Sequence, residues 1–308
     1  MIPQKTTVDW LRFRAQAEPR DILHSMRPMF GEFSKALKLV HLDRGLLGFQ
    51  QGAQILLGDM PLGRMDYGGE SQRGWVRTDL GGKGCEWVAD WEAAESLEDL
   101  PSSQIRRADL ALTTWDGEMT HEKVVQAHAD GRFIKGGRPP ALRQIISTDP
   151  RAGRTCEIGK REKADVFMRC YEKGFELAGK IRGPGVVTAI DGKRVEDIYR
   201  NEVELKAVNR VIPWDVIPRR DQYFAGAYPF CADVLPGVEA DILMRRPERA
   251  PQADLAAALE NCRIQFGPTL YAALLAYHGD ITAVWDKVIG DHPNPILLQA
   301  GVLLVDHD

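Results

Sequence analysis

The feature that most constrains the fold is a series of short segments in which polar and apolar residues alternate. They are separated by Gly, Asp and Pro and lie before about residue 220: TVDWLRFRA, GWVRTDL, IRRADLALT, DVFMRCYEK and RNEVELKAV. Alternation with a period of two is typical of strands with one buried face. Helices are predicted at Met26–Leu39 and Thr120–His128. The pattern therefore predicts an α+β fold around a mixed or antiparallel sheet.

The pattern changes from about Tyr223 onward. Three segments, 254–267, 268–279 and 280–290, each combine a helix start, an apolar stripe and a terminal Gly. They predict three short packed helices, preceded by a Pro-rich linker, ERAPQ. We expect a catalytic domain over residues 1–222 and a small helical C-terminal region over residues 223–308.

The composition favours a protein with a substantial core. Of 308 residues, 44% are apolar, yet no apolar run approaches the roughly 20 residues that cross a bilayer. The N-terminus resembles no signal peptide, so we expect a cytoplasmic protein without a membrane partner. The five cysteines form no C-x-x-C pair, which predicts reduced core residues.

The net charge of −4 conceals two regions of opposite charge. Residues 131–173 contain eleven Lys or Arg against five Asp or Glu, whereas residues 230–308 contain five against eleven. A basic stretch interrupted by Gly and Pro can neutralise phosphates, although such stretches are also common in solvated loops. The C-terminal acidic region either contacts a host replication protein or caps the sheet.

One predicted strand places a tyrosine between two cations. In DVFMRCYEK, the alternation directs the apolar residues to the core and Arg169, Tyr171 and Lys173 to the opposite face. Nearby positive charge favours the phenolate and lowers a tyrosine pKa of about 10, which a nucleophile requires. The alternative is a half-exposed tyrosine on the surface of a sheet.

Acidic residues recur on the polar faces of two other predicted strands. IRRADLALTT carries Asp109 beside Arg107, and RNEVELK carries Glu202 and Glu204 beside Arg200. Converging carboxylates suit Mg²⁺ or Mn²⁺, which polarises a phosphate. Alternating Arg, Glu and Lys is also typical of a solvated strand. The seven histidines form no H-x-H or H-E-x-x-H motif.

Five segments in their order and spacing resemble the replication initiation factor family, over roughly residues 7–215: VDWLRFR, LGGKGCEW, IRRADLALTTWDG, RTCEIGKREKADVFMRCYEKGFEL and RNEVELK. That family includes rolling-circle initiators of Gram-positive plasmids and replication proteins of filamentous phages. The F-G-x-x-L pattern around Phe266 is similar to the phage branch, particularly phages of plant-pathogenic bacteria. The resemblance implies a nuclease domain of the relaxase-like type.

The resemblance implies specific roles for the tyrosine strand. The family motif R-x-Y-[DE]-K is matched by Arg169, Tyr171 and Lys173, so Tyr171 takes the role of the nucleophile. The basic turn before this strand, with Lys160, Arg161 and Lys163, matches the polar turn expected to hold the DNA backbone.

The two other strands match family motifs that imply metal ligands. R-x-D-L-A is matched from Arg107, with Asp109 as the first ligand, and R-x-E-x-E/Q-L-K is matched from Arg200. Glu202 is the preferred second ligand and Glu204 the third candidate, while Arg107 and Arg200 are further DNA contacts. The chain departs from many relatives in having two threonines, at positions 113 and 114, where they carry acids.

The implied activity is that of a site-specific DNA endonuclease and strand transferase. Tyrosine transesterification leaves a 5′-phosphotyrosine and a free 3′-OH that primes a host polymerase, with Mg²⁺ or Mn²⁺ as cofactor. The implied partners are single-stranded or cruciform origin DNA, a host helicase and polymerase in the bacterial cytoplasm, and a possible second subunit in a homodimer.

Two other interpretations remain open. A non-cleaving phage repressor or accessory replication factor would need the cations but not the tyrosine and carboxylates together. A metal-dependent nuclease would use water in place of tyrosine. If Tyr171 is not the nucleophile, Tyr199, which precedes Arg200, is the next candidate.

Overall fold

A computed structural model describes residues 4–149, 151–162, 164–181, 186–244 and 255–293 of the chain. The chain divides into two compact units, Met1–Arg245 and Arg246–Asp308. The first unit extends beyond residue 222, and the functional boundary expected there stays a prediction.

The first unit contains twelve strands and six α-helices in its described ranges. The strands are β1 Thr7–Ala15, β2 Leu37–Leu42, β3 Gln51–Leu57, β4 Met60–Tyr67, β5 Val76–Leu80, β6 Gln104–Thr114, β7 Leu142–Ile146, β8 Arg154–Ile158, β9 Val166–Tyr171, β10 Ala189–Ile190, β11 Lys193–Arg194 and β12 Tyr199–Lys206. The helices are α1 Pro19–Met26, α2 Gly82–Cys85, α3 His121–Ala129, α4 Lys173–Lys180, α5 Arg220–Ala225 and α6 Pro229–Val234.

Ten of these strands form one antiparallel sheet in the order β2-β3-β4-β5-β1-β6-β12-β9-β8-β7, and β10 pairs with β11. The strands carrying the predicted site residues are adjacent, with β12 between β6 and β9. Apolar side chains of one sheet face pack with residues of α1, α5 and α6 in a single core. The predicted α+β class with an antiparallel sheet is confirmed.

Two glycines allow short helices to lie against neighbouring backbone. A Cβ on Gly84 of α2 would lie 2.2 Å from the carbonyl oxygen of Leu62, and one on Gly174 of α4 would lie 2.0 Å from that of Val195. Since no other residue fits at these distances, the glycines fix the positions of α2 and α4. These two helices form the walls of the cleft described below.

The predicted helix at Met26–Leu39 is wrong, whereas the one at Thr120–His128 is confirmed. Helix α1 ends at Met26, 3-10 turns follow over Arg27–Ala36, and a strand begins at Leu37. Gly31, with φ of 50°, interrupts the helical backbone. Helix α3 begins as predicted, because the Thr120 side chain accepts a hydrogen bond from the Lys123 amide.

The second unit contains two helices in its described residues, α7 Leu255–Ala276 and α8 Ile281–Val288. The prediction of three helices is wrong, because α7 continues through Gly267 and Pro268. Asp280 caps α8 by accepting from the Ala283 amide at 3.0 Å. The predicted linker ERAPQ lies outside the described residues.

None of the helices in the described ranges combines the length and apolar character that a membrane crossing requires.

The cysteines are free thiols, as predicted, and four of them are buried in the first unit: Cys85, Cys156, Cys170 and Cys231. The fifth, Cys262, is exposed on α7, so the expectation of a core position is wrong for it.

Candidate active site

Tyr171 is the last residue of β9 and lies on the polar face of the sheet. It is directly opposite Arg200 on β12. Its hydroxyl donates a hydrogen bond to Oε2 of Glu202 at 3.4 Å. The phenol is half-buried and lines a cleft. The antiparallel register therefore brings the predicted nucleophile and a predicted metal ligand into direct contact.

Two cations flank the ring of Tyr171, as the sequence predicts. The guanidinium carbon of Arg169 and Nζ of Lys173 each lie 5.6 Å from the ring centroid, within cation–π distance. Both cations also bond to carboxylates. Arg169 donates to Glu202 at 2.7 Å, and Lys173 donates to Glu176 at 2.8 Å.

The pKa of Tyr171 is raised above its ordinary value, not lowered as the sequence suggests. Burial is the largest cause, the Glu202 carboxylate raises the pKa further, and Arg200 offsets only part of this effect. The prediction is wrong because burial of the phenol outweighs the flanking cations, which are themselves paired with carboxylates. Tyr171 therefore requires a proton acceptor, or added positive charge near Glu202, before it can attack a phosphate.

The other tyrosines occupy different environments. Tyr199 is fully buried, and its hydroxyl has no hydrogen-bond partner among the described residues. Burial also raises the pKa of Tyr199 far above its usual range. Tyr223 and Tyr228 are buried in the core. Tyr271 and Tyr277 are exposed on the second unit.

Two carboxylates, Asp109 and Glu204, lie directly opposite each other on β6 and β12. Nη2 of Arg107 bonds to both, at 2.5 Å from Asp109 and 3.1 Å from Glu204. Glu204 also pairs with Arg161 at 3.0 Å and with Lys206 at 3.2 Å. Asp109 is 1% exposed and Glu204 4% exposed. This face is thus a buried charge network rather than a solvated strand surface.

Burial raises the pKa of Asp109 to about 7. The hydrogen bond and charge of Arg107 lower this pKa, while the nearby charges of Glu202 and Glu204 raise it. Arg107 therefore does not fully offset the cost of burying this carboxylate. A bound divalent cation would favour its charged form.

Within the described ranges, no group of three or more His, Cys, Asp or Glu side chains is arranged to hold a metal ion. Asp109 and Glu204 nevertheless offer two adjacent hard oxygen donors. Mg²⁺ is commonly bound by one or two carboxylates, with substrate phosphates and water completing its coordination. The donor chemistry thus fits such an ion. The ligand assignment of Asp109, Glu202 and Glu204 stays a prediction.

The basic turn meets the carboxylate network through Arg161. Its guanidinium pairs with Glu204, and its side chain remains 48% exposed. Lys160 is exposed beside it, and Lys163 lies outside the described residues. Lys160 and Arg161 are therefore accessible to a phosphate backbone next to the site.

The other two predicted DNA contacts are more enclosed. The side chains of Arg107 and Arg200 are 13% and 17% exposed. Arg200 bonds to Asp9 at 2.8 Å and to Thr113 Oγ1 at 2.9 Å. In this arrangement the two arginines organise carboxylates of the site, and the prediction that they contact DNA stays untested.

A cleft of about 420 Å³ opens beside Tyr171 between α2 and α4. Its lining includes five charged residues that the sequence analysis missed: Asp9, Lys83, Glu86, Glu176 and Lys180. Strict alternation in β1 would place Asp9 on the same face as the buried Leu11 and Phe13. A register shift between Val8 and Trp10 in the pairing with β6 places it beside Arg200. Lys83 and Glu86 lie within LGGKGCEW, one of the segments that resemble the replication initiation factor family. That resemblance was the signal that could have pointed to these two residues.

Residues 103–245 match the replication initiation factor family. This stretch contains Tyr171, the basic turn and the strands that carry Asp109, Glu202 and Glu204. Over residues 103–245 the chain is thus similar to this family, as the sequence resemblance implied.

A solved structure described as a rolling circle replication initiator protein from Geobacillus stearothermophilus is similar to this chain. The two are 19% identical, the match covers 66% of this chain and 74% of the other, and the TM-score is 0.48. No curated protein has a significant sequence match to this chain.

Proposed function

We propose that this protein is a rolling-circle replication initiator that nicks and rejoins one DNA strand at a replication origin, with Tyr171 as the nucleophile. The observation that carries the proposal is the hydrogen bond from the Tyr171 hydroxyl to Glu202, beside two cations and an open cleft. The family match over residues 103–245 supports the role in replication initiation.

In the proposed reaction, the Tyr171 oxygen attacks the scissile phosphorus while its proton passes to Glu202. The bond between phosphorus and the 3′ oxygen breaks, and that oxygen takes up a proton to become a free 3′-OH. The downstream strand remains joined to Tyr171 as a 5′-phosphotyrosine. The reverse transfer, from phosphotyrosine to a 3′-OH, rejoins the strand. Because one phosphodiester replaces another, no nucleotide cofactor is needed.

The cations support this step through their positions around the ring. Arg169 and Lys173 flank the Tyr171 ring, and in the proposed reaction they face the charge that develops on the phosphate. Positioned donors of this kind stabilise a transition state. When the substrate phosphate approaches, it competes with Glu202 for Arg169 and with Glu176 for Lys173. The nucleophile is then surrounded by cations that bond to the reacting phosphate.

Mg²⁺ or Mn²⁺ would be held by Asp109 and Glu204, which are direct cross-strand neighbours. When bound, the ion would offset negative charge on the scissile phosphate. Glu202 is placed to act on the proton of Tyr171 instead, because its two oxygens already bond to Arg169 and Tyr171. This division revises the sequence-based preference for Glu202 as the second ligand.

The proposed partners follow from the activity. Origin DNA, single-stranded or in a cruciform, is the substrate, and a host helicase and polymerase extend the free 3′ end. The bacterial cytoplasm, a homodimeric state and an origin in a filamentous phage remain part of the proposal.

A non-cleaving DNA-binding protein is the main alternative function. Such a protein needs exposed cations, but it has no need for a tyrosine bonded to a buried carboxylate. A nuclease that activates water is the second alternative. It would cleave DNA without forming a covalent protein–DNA bond.

The test is to incubate the full-length protein with labelled single-stranded origin DNA and Mg²⁺, and to look for a protein–DNA adduct on a denaturing gel. The wild type should form an adduct. Tyr171→Phe should bind DNA normally, since the ring is retained, but form neither adduct nor nick.

Tyr67→Phe is the matched control, because Tyr67 lies on β4 and bonds to His41, away from the site residues described above. It should keep full activity. Binding without cleavage by the wild type would identify a non-cleaving protein, and a nick without adduct would identify a water-activating nuclease. Either result would refute the proposal.

A further inference from the structure

The cleft beside Tyr171 carries charged groups that strand transfer does not require. Lys83 of α2 and Glu86, which directly follows this helix, line the cleft, and both side chains are exposed. Among the residues that the structure describes, neither side chain has a hydrogen-bond or ion-pair partner. Two opposite charges on one helical turn therefore line the cleft without pairing with another side chain of the described residues.

The opposite wall of the cleft is already internally paired. Glu176 of α4 bonds to Lys173 at 2.8 Å and to Lys180 at 2.7 Å. Although burial alone would raise the pKa of Glu176, hydrogen bonds from the two lysines lower it to about 2. This wall presents a neutralised carboxylate with an excess of positive charge, whereas Glu86 on the α2 wall keeps its full capacity to accept hydrogen bonds.

The size and position of the cleft fit one nucleotide. Its volume of about 420 Å³ lies within the range of roughly 300–1,000 Å³ typical of small-molecule sites. Tyr171 forms part of the lining. A nucleotide placed here would therefore be next to the phosphate that Tyr171 attacks.

The charges indicate how such a nucleotide would be recognised. A carboxylate accepts hydrogen bonds and repels phosphate, so Glu86 suits the amino group of a base and not the DNA backbone. Lys83 suits the phosphate on the same nucleotide. A base without an amino group, such as thymine or uracil, presents a carbonyl oxygen where cytosine presents its N4 amino group.

We propose, building on the function proposed above, that the cleft between α2 and α4 is a base-reading subsite for the nucleotide next to the scissile phosphate. Glu86 accepts a hydrogen bond from the amino group of the base, and Lys83 pairs with the flanking phosphate. The subsite selects amino-bearing bases over thymine and uracil.

The experiment measures binding without cleavage, in EDTA, by fluorescence anisotropy of the full-length protein. The probes are labelled single-stranded octamers of deoxycytidylate and deoxyuridylate, whose bases differ only in the groups at C4 and N3. The wild type should bind the cytosine octamer about five- to tenfold more tightly. Glu86→Gln should remove this preference, because an amide also donates to a carbonyl oxygen.

Lys83→Ala should weaken binding of both octamers by the same factor, because phosphate contacts carry no base information. Glu98→Gln is the matched control, since Glu98 is also exposed but does not line the cleft. It should keep the cytosine preference. Equal binding of both octamers by the wild type, or a preference that survives in Glu86→Gln, would overturn the proposal. Failure of the nicking function would appear separately, as a missing adduct in the assay with Mg²⁺.

Discussion

Replacing Asp109 by Asn should change how the stability of the protein depends on pH. Burial raises the pKa of this carboxyl from 3.8 to about 7. The folded state therefore holds the proton more tightly than the unfolded state. The resulting stabilisation is fully present below the unfolded pKa and is lost as pH rises toward the folded pKa.

The magnitude follows from the shift. Between pH 5 and pH 8, a carboxyl with these two pKa values lowers the free energy of unfolding by about 3 kcal/mol. The amide introduced by Asp109→Asn does not titrate, so the free energy of unfolding of the variant should not show this decrease between pH 5 and pH 8. Urea unfolding at both pH values measures the difference, which corresponds to a relative midpoint shift of about 1 M.

Glu176→Gln is the control for this experiment. The pKa of Glu176 is lowered to about 2, so its stabilising contribution is lost only as pH falls below the unfolded value of 4.5. Its removal should leave the difference between pH 5 and pH 8 unchanged. If wild type and Asp109→Asn lose the same stability between these pH values, the reasoning about Asp109 fails.

Three further predictions concern DNA binding, metal binding and the proton acceptor of Tyr171. Joint replacement of Lys160 and Arg161 by Ala should reduce the slope of log affinity against log salt by about 0.7 per lost single-strand contact. An unchanged slope would mean that the basic turn does not hold phosphates. Glu204→Gln should raise the Mg²⁺ concentration needed for half-maximal nicking. Glu202→Gln should slow nicking about 100-fold with the Mg²⁺ midpoint unchanged, and a shifted midpoint would instead make Glu202 a ligand.

The local pattern of the sequence was sufficient to predict the strands that carry the site. The predicted segment TVDWLRFRA coincides with β1, and the segments around Asp109, Tyr171 and Glu202 fall on β6, β9 and β12. The order of strands was not predictable in this way. Strand β12 lies between β6 and β9, although about 90 residues separate it from β6 in the chain. Such pairings depend on non-local packing, which alternation does not encode.

The residues at the centre of the candidate site could be predicted from the sequence, but the charged lining of the cleft and the electrostatics of the site could not. The sequence identified Tyr171 with its two cations, and it identified the carboxylates on the neighbouring strands. It did not show that the phenol is buried, nor that Glu202 and Glu176 pair with those cations, so the predicted direction of the Tyr171 pKa shift was wrong. Asp9 escaped notice because a single register shift changed the face on which it lies.

The ion pairs between carboxylates and cations explain how the candidate site can stay folded without a bound ligand. Buried carboxylates are costly unless they are paired, and Arg107, Arg161 and Lys206 provide the pairing at Glu204 and Asp109. DNA phosphate and a divalent cation would enter together, the phosphate bonding to the cations and the metal to the carboxylates. The phosphate draws the cations away from the carboxylates, and the metal takes the place of those cations at the carboxylates. Binding of DNA and of metal should therefore be mutually reinforcing, which is a reciprocal coupling between two sites.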